Sequence, residues 1–407
     1  MNKASSASIA IHNMPGSPSP RSISGILGSA LLASALVLAG CATGPMRPPL
    51  PAPRPVVTDT TGHAKARWVR ADWAELPGWG QDRLLQAWPA LLRSCARASP
   101  EWTRACSSAY LLRTDDPQFE AAAREWAQAM LQPYRIESLD GQTNGLLTGY
   151  FEPLLDARKQ PDAVYNVPLY APPADLATRK PYWTRAELDA DPAARAALQG
   201  RELAFVADPL DALSLQIQGS GRLRLLDSPG PDGAPRMVRL AFAGHNSQPY
   251  QSIGRWLIDQ GQLGPDQASW PAIRAWAKLH PERVAEMLRA NPRMVFFRED
   301  PLPSPDVGPL GAQGVPLTPG RSIAVDKESI PYGAPVWLVS TEPQPWAPAE
   351  QAPLPRALQR LVLAQDTGGA ITGAVRADYF WGWGADAEAQ AGRTRQPLRL
   401  WVLWPKS

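Results

Sequence analysis

Residues 364–384 read AQDTGGAITGAVRADYFWGWG, with Asp366 and Asp378 separated by a glycine-rich run. Aspartate is a poor strand former, and clusters of Gly and Asp usually turn a chain. The two carboxylates are therefore turn residues, metal ligands, or the acid and base of a reaction. The flanking text favours a site. Asp366 closes the apolar run RLVLAQD, Asp378 sits in VRADYFWG, and upstream Asp326 closes RSIAVD. A carboxylate at the end of a strand, beside a Gly-rich turn, stands on a rigid frame and faces a concavity.

The residues themselves separate these chemistries. No regular Asp-x-Asp-x-Asp-Gly loop is present, so a calcium-type site is disfavoured. The cysteines lack CxxC spacing and there are only four histidines, which argues against zinc. His245 and His280 are lone histidines and read as structural. A general acid needs a carboxyl held protonated by apolar surroundings. Tyr379, Phe380, Trp381 and Trp383 supply them next to Asp378, which makes Asp378 the candidate acid/base. Asp366 and Asp326 suit supporting hydrogen bonds. Gly368 and Gly369 permit a tight backbone path or a close ligand approach. Arg376 either orients Asp378 or meets a substrate carboxylate.

The bulk composition sets further bounds. The chain has 407 residues, enough for two or three domains, and an apolar fraction of 44%. A net charge of +3 is too small to argue for nucleic acid. With 45 prolines and 31 glycines, short strands and loops are expected rather than long helices. Sixteen tryptophans suit either a core or a surface that stacks on flat, polar-edged ligands such as sugars. Residues 1–40 carry Arg21 and then the apolar run SISGILGSALLASALVLAG, ending Leu38-Ala39-Gly40-Cys41, a secretory signal. That ending resembles a bacterial lipobox with Cys41 as the lipidated residue, and Ala42 in place of aspartate implies the outer membrane. The acyl chains would hold a soluble body at the membrane surface. In an exported chain, Cys95 and Cys106 read as a local disulfide or as two buried thiols on adjacent helices.

Residues 41–65 are a Pro-rich tether. Helical spacing follows at Leu84, Trp88, Leu91 and Cys95, with Pro89 as a break or kink. A second helix over DDPQFEAAAREWAQAML is capped by Asp116, with Pro117 in its first turn. From residue 145 the chain reads as short strands, among them LLTGYFEPLL, ELAFVAD and RMVRLAFAG. Leu213–Gln218 alternates apolar and polar residues and predicts another strand. Helices return near residues 249–261 and 269–292, and strand-like runs resume at RMVFFRE and continue to LRLWVLWP. This pattern is two interleaved, mainly β bodies with peripheral helices, the middle one inserted into the other.

Six segments carry a resemblance: TGYFEP (148–153), IQGSGRL (217–223), GHNSQPYQSIGRWLI (244–258), NPRMVFF (291–297), RSIAVDKESIPYG (321–333) and residues 364–392. In order and content they resemble the membrane-bound lytic murein transglycosylase A family, whose C-terminal three-aspartate domain matches at Asp326, Asp366 and Asp378. The resemblance implies a double-psi β-barrel built from residues 66–154 and 306–407, with a smaller β-barrel domain, 155–305, inserted between them. It further implies cleavage of the β-1,4 bond between N-acetylmuramic acid and N-acetylglucosamine without water, leaving 1,6-anhydromuramic acid. No metal or organic cofactor is called for. The implied partners are peptidoglycan glycan strands, an outer-membrane lipid anchor, and proteins of cell-wall synthesis or division. Tyr150, Glu152, Gln218, Ser220 and Gly221 look placed to line the substrate groove. The competing readings are a non-catalytic wall binder, a structural lipoprotein, and a hydrolase using Asp366 or Glu152 as a second carboxylate.

Overall fold

The computed structural model describes residues 58–59, 63–230, 233–265, 267–302, 304–344 and 354–406. Cys41, the signal segment and most of the tether lie outside the described residues.

In chain order the first elements are β1 (Thr58–Asp59), β2 (Arg67–Arg70), α1 (Leu84–Cys95), α2 (Thr103–Ala109), α3 (Phe119–Met130), β3 (Leu131–Glu137) and β4 (Gly145–Glu152). The middle of the chain forms β5 (Leu154–Ala157), β6 (Val167–Tyr170), α4 (Arg185–Ala190), α5 (Pro192–Ala196), β7 (Glu202–Val206) and α6 (Pro209–Gln218). It continues through β8 (Ser220–Pro229), β9 (Pro235–His245), α7 (Ile253–Asp259), α8 (Trp270–Leu279), α9 (Val284–Arg289) and β10 (Val295–Asp300). The last part supplies β11 (Ser322–Val325), β12 (Pro335–Thr341), β13 (Ala357–Asp366), β14 (Arg376–Trp383), α10 (Gly384–Ala391) and β15 (Arg395–Pro405).

The fold is mainly β. One sheet has the order β1-β2-β3-β15-β12-β13-β11-β14-β4, and β4 also pairs with β15. Hydrogen bonding therefore runs in a circuit through β15, β12, β13, β11, β14 and β4, around an apolar filling that includes Leu147, Ile323, Val336, Val362 and Tyr379. Residues 154–300 form a second sheet, β10-β9-β8-β5, and the ribbon β6-β7, bridged at Arg158–Phe205. The chain thus leaves the large sheet after β4 and returns at β11, as an insertion requires.

Helices α1–α3 cover the outer face of the large sheet. Trp88, Trp102 and Trp126 pack there with Trp337 and Trp401, so much of the tryptophan surplus is core. The buried Asp82 carboxylate accepts both Nη groups of Arg321 at 2.7 and 2.9 Å, and the Leu361 amide at 2.8 Å, tying this layer to β11 and β13. Cys95 and Cys106 are disulfide-bonded, which joins the end of α1 to α2.

Three local expectations change. Helix α1 runs through Pro89, because the face carrying Leu84, Ala87, Trp88 and Leu91 is buried and offsets the missing N–H. Helix α3 starts at Phe119; Asp116 instead bonds the Gln118 amide just before it. Leu213–Gln218 is not a strand but the end of α6. The Asp208 carboxylate caps the Leu210 amide, Pro209 takes the first helical position, and Gly219 ends the helix at φ 78°. Residues 212–218 are all buried, so no polar face shows the helical period.

Candidate active site

Strand register gathers the three aspartates. Asp378 of β14 lies opposite Ala324 of β11 and Thr148 of β4, and Phe380 lies opposite Tyr150. Ala324 is also the register partner of Asp366, at the end of β13. Side chains alternate across a sheet. Ala377 and Tyr379 therefore enter the interior of the strand circuit, while Asp378, Phe380, Thr148 and Tyr150 share the opposite face.

Asp378 is fully buried. Its Oδ1 accepts the Thr148 hydroxyl at 2.6 Å, and Thr148 Oγ1 accepts Arg376 Nη2 at 2.9 Å. Burial pulls the Arg376 guanidinium below its ordinary value, and the Asp378 charge pulls it back up. Arg376 thus reaches Asp378 through the Thr148 hydroxyl. Thr148, not singled out in the sequence, is the link; its position two residues before Tyr150 on the same strand face was the available signal. Thr148→Val keeps the shape and removes both bonds. It is expected to lower turnover about tenfold, the kinetic equivalent of one charge-assisted hydrogen bond, with Thr148→Ser restoring most of it in steady-state assays on soluble glycan.

Asp366 takes a different environment. Its Oδ2 accepts the Tyr150 hydroxyl at 3.0 Å and its Oδ1 the Ala312 amide at 2.9 Å. Burial, then the charges of Asp366 and Asp378, drive the Tyr150 phenol well above its ordinary value, so it stays a neutral donor. Behind Asp366, the buried Gln365 amide donates to Ser94 Oγ at 2.8 Å and to the Ala90 carbonyl at 2.9 Å, and Ser94 donates to Gln313 at 3.0 Å. The end of α1, held by the disulfide, thereby braces the Asp366 segment.

Asp326 ties loops. Its Oδ2 accepts the Gly373 amide at 2.9 Å and the Lys65 ammonium at 3.3 Å, and its Oδ1 the Glu328 amide at 3.1 Å. Within the glycine-rich connection the left-handed backbone falls at Gly373, φ 106°. An added Cβ there meets nothing within 4 Å, so only backbone strain opposes a side chain. Gly373→Ala is expected to cost about 1–2 kcal/mol of stability in denaturant titrations.

Tyr150, Asp366 and Phe380 line one side of a cavity of about 40 Å³ between the large sheet and the insert. Gln218, Ser220, Phe242 and Arg298 line the insert side. Gln218 also accepts the Phe151 amide at 3.2 Å. Two expected groove residues have other work. Gly221 leaves no room for a side chain, since a Cβ would lie 2.0 Å from Leu215 Cδ1. Glu152 is fully buried between Arg222 (2.8 Å) and Arg239 (2.6 Å), whose guanidinium groups also reach the carbonyls of Pro305 and Val307. Arg222 in turn lies 3.8 Å from the Trp383 ring centre, so that indole stacks on a cation. Trp381 donates to Thr394 at 2.9 Å and is half-buried against Phe151, Ala387 and Ala391. Among the described residues no group of three or more His, Cys, Asp or Glu side chains is arranged to hold a metal ion.

Residues 146–298 match the MltA specific insert domain and residues 321–404 the 3D domain. The membrane-bound lytic murein transglycosylase A of Vibrio cholerae is 33% identical over 284 residues, covering 68% of this chain and 70% of that protein. The chain belongs to the membrane-bound lytic murein transglycosylase A family. Among solved members, the lytic transglycosylase LtgG of Burkholderia pseudomallei is 44% identical, with a TM-score of 0.58, covering 87% of this chain and all of that one. Escherichia coli MltA with bound chitohexaose is 27% identical with a TM-score of 0.65, covering 80% of this chain and 91% of that one. The second sheet falls within or just beyond the first match, which also takes in most of β4 of the large sheet, and β11–β15 fall within or just beyond the second. Among the described residues no helix is long and apolar enough to cross a membrane.

Proposed function

We infer that this protein is a lytic transglycosylase of peptidoglycan with Asp378 as its one acid and base. It cleaves the β-1,4 bond between N-acetylmuramic acid and N-acetylglucosamine and leaves a 1,6-anhydromuramic acid end. Family membership supports the reaction. The role of Asp378 is carried by one contrast: Asp326 and Asp366 accept backbone amides and tie loops, whereas Asp378 is met by the Thr148–Arg376 relay.

Protonated Asp378 gives its proton to the leaving glycosidic oxygen as the C1–O bond breaks. The muramic acid C6 hydroxyl then attacks C1 from within the same sugar and returns a proton to the carboxylate, so no water is consumed. Intramolecular attack removes the entropy cost of recruiting a second molecule. A two-carboxylate hydrolase needs a second carboxyl available to the substrate or a water. Glu152 is committed to two arginines and Asp366 to Tyr150 and Ala312, which supports the single-carboxyl route.

The strand circuit supports reading the large body, residues 66–154 with 306–407, as a double-psi β-barrel, with 155–305 as the inserted domain. The lipobox-like ending supports an outer-membrane lipoprotein anchored through Cys41. Digestion of purified sacculi, with products identified by mass spectrometry, tests the reaction. Anhydro-muropeptides are expected; reducing-end products would instead establish a hydrolase, and sacculus binding without release a wall binder.

A further inference from the structure

Beyond the cavity, the end of β9, the segment before β10 and residues 179–184 meet in one corner of the insert. The fully buried Asn246 joins them. Its Nδ2 donates to the carbonyls of Trp183 (2.9 Å) and Pro292 (2.8 Å), its Oδ1 accepts the Met294 amide (3.0 Å), and its carbonyl accepts the Tyr182 amide (2.9 Å). These bonds bring Arg179 and Lys180, Arg293, and the His245 ring together from three segments.

Arg179 and Lys180 are exposed, and Arg293 and His245 partly so. The Arg179 guanidinium lies 3.3 Å from the centre of the Trp183 ring, and Arg293 Nε donates to the Gln248 carbonyl at 2.9 Å. The charges felt at His245 are those of Arg293 and Lys180, and with burial they hold the imidazole below its ordinary value. Of the two carboxylates nearby, Asp175 accepts the Tyr182 hydroxyl at 2.9 Å, and Glu187 closes the capping box of α4 and offsets part of the Arg179 charge. Arg179, Lys180 and Arg293 outnumber them, so the corner is a positive surface built on a rigid, hydrogen-bonded frame. It lies close to the cavity: the His245 ring is 6.3 Å from that of Phe242, which lines the cavity with Tyr150 and Asp366.

We propose that the Arg179–Lys180–His245–Arg293 corner binds the carboxylates of the peptide stem carried by the glycan strand, a proposal that rests on the peptidoglycan reading above. A stem leaves the strand sideways from the muramic acid lactyl group. A surface one ring away from the cavity is where such a branch arrives. Exposed guanidinium and ammonium groups match its free carboxylates. Anionic lipid offers a similar charge but is not delivered by the glycan in the cavity.

The test uses the full-length protein in detergent micelles. Calorimetric titration with a free tetrapeptide stem is run beside turnover of glycan strands with stems and of strands stripped by an amidase. Lys180→Gln/Arg293→Gln is expected to weaken stem affinity about three- to tenfold, the scale of two exposed ion pairs. The wild-type preference for stem-bearing over stripped strands narrows by a similar factor, and Lys180→Glu narrows it further. Salt at about 0.5 M removes the difference between variants. The charge-preserving pair Lys180→Arg/Arg293→Lys keeps the preference, which separates charge from misfolding. Unchanged stem affinity with an unchanged preference overturns the proposal. So does a loss confined to vesicles of phosphatidylglycerol and phosphatidylethanolamine. Should the wild type cleave neither strand, the reaction itself is misread, while the stem titration still decides the corner.

Discussion

Asp378→Asn is expected to abolish release of anhydro-muropeptides, with turnover falling about 10²–10⁴-fold, the usual contribution of a general acid–base group. The substitution is nearly isosteric. The Asn side-chain oxygen still accepts the Thr148 hydroxyl, so the relay to Arg376 and the β14 register survive. Unfolding midpoints and sacculus binding should therefore stay close to wild type while catalysis disappears. Asp366→Asn provides the comparison. Its single side-chain oxygen serves the Ala312 amide or the Tyr150 hydroxyl but not both, and a smaller loss than at Asp378 is expected because it perturbs placement rather than proton transfer. A variant at Asp378 that still turns over within tenfold of wild type would remove it from the chemistry and return Asp366 to consideration.

The second large effect concerns stability. Glu152→Gln leaves Arg222 and Arg239 buried without their shared counter-ion at the junction of β4, β8, β9 and the 305–307 segment. Removing one partner from a buried ion group typically costs about 3–5 kcal/mol. For a chain of this size that lowers Tm by roughly 4–6 °C. The triple change Glu152→Leu, Arg222→Leu, Arg239→Met should recover much of the loss, since an apolar replacement of a buried ion group is often neutral or better. A Tm within about 2 °C of wild type for Glu152→Gln would show that the guanidinium groups find compensation elsewhere, and the junction role would fail.

Much of this architecture was legible locally. Runs such as RSIAVD, RLVLAQD and LRLWVLWP became β11, β13 and β15, because their β-branched and aliphatic residues fit a buried pleated sheet. The Cys95–Cys106 pairing was legible as well, as one of two options that spacing and export left open. Helix α6 was not. A segment buried on all sides carries no polar face, so LSLQIQ imitates a strand; its helical state rests on the Asp208 cap, Pro209, Gly219 and the packing around it.

Residue types and motif order along this chain were enough to establish the family and to single out Asp326, Asp366 and Asp378. Their division of labour was not written in any one segment. It depends on register across β4, β11, β13 and β14, which sets Thr148 beside Asp378 from 230 positions away and Tyr150 beside Asp366 from 216. Glu152 shows the same limit. Read along the chain it is an acidic residue in a groove motif, but two arginines from strands far along the chain enclose it. A carboxylate acts as acid, brace or counter-ion according to which donors reach it and how much water remains, and those are properties of contacts made only when distant strands pair.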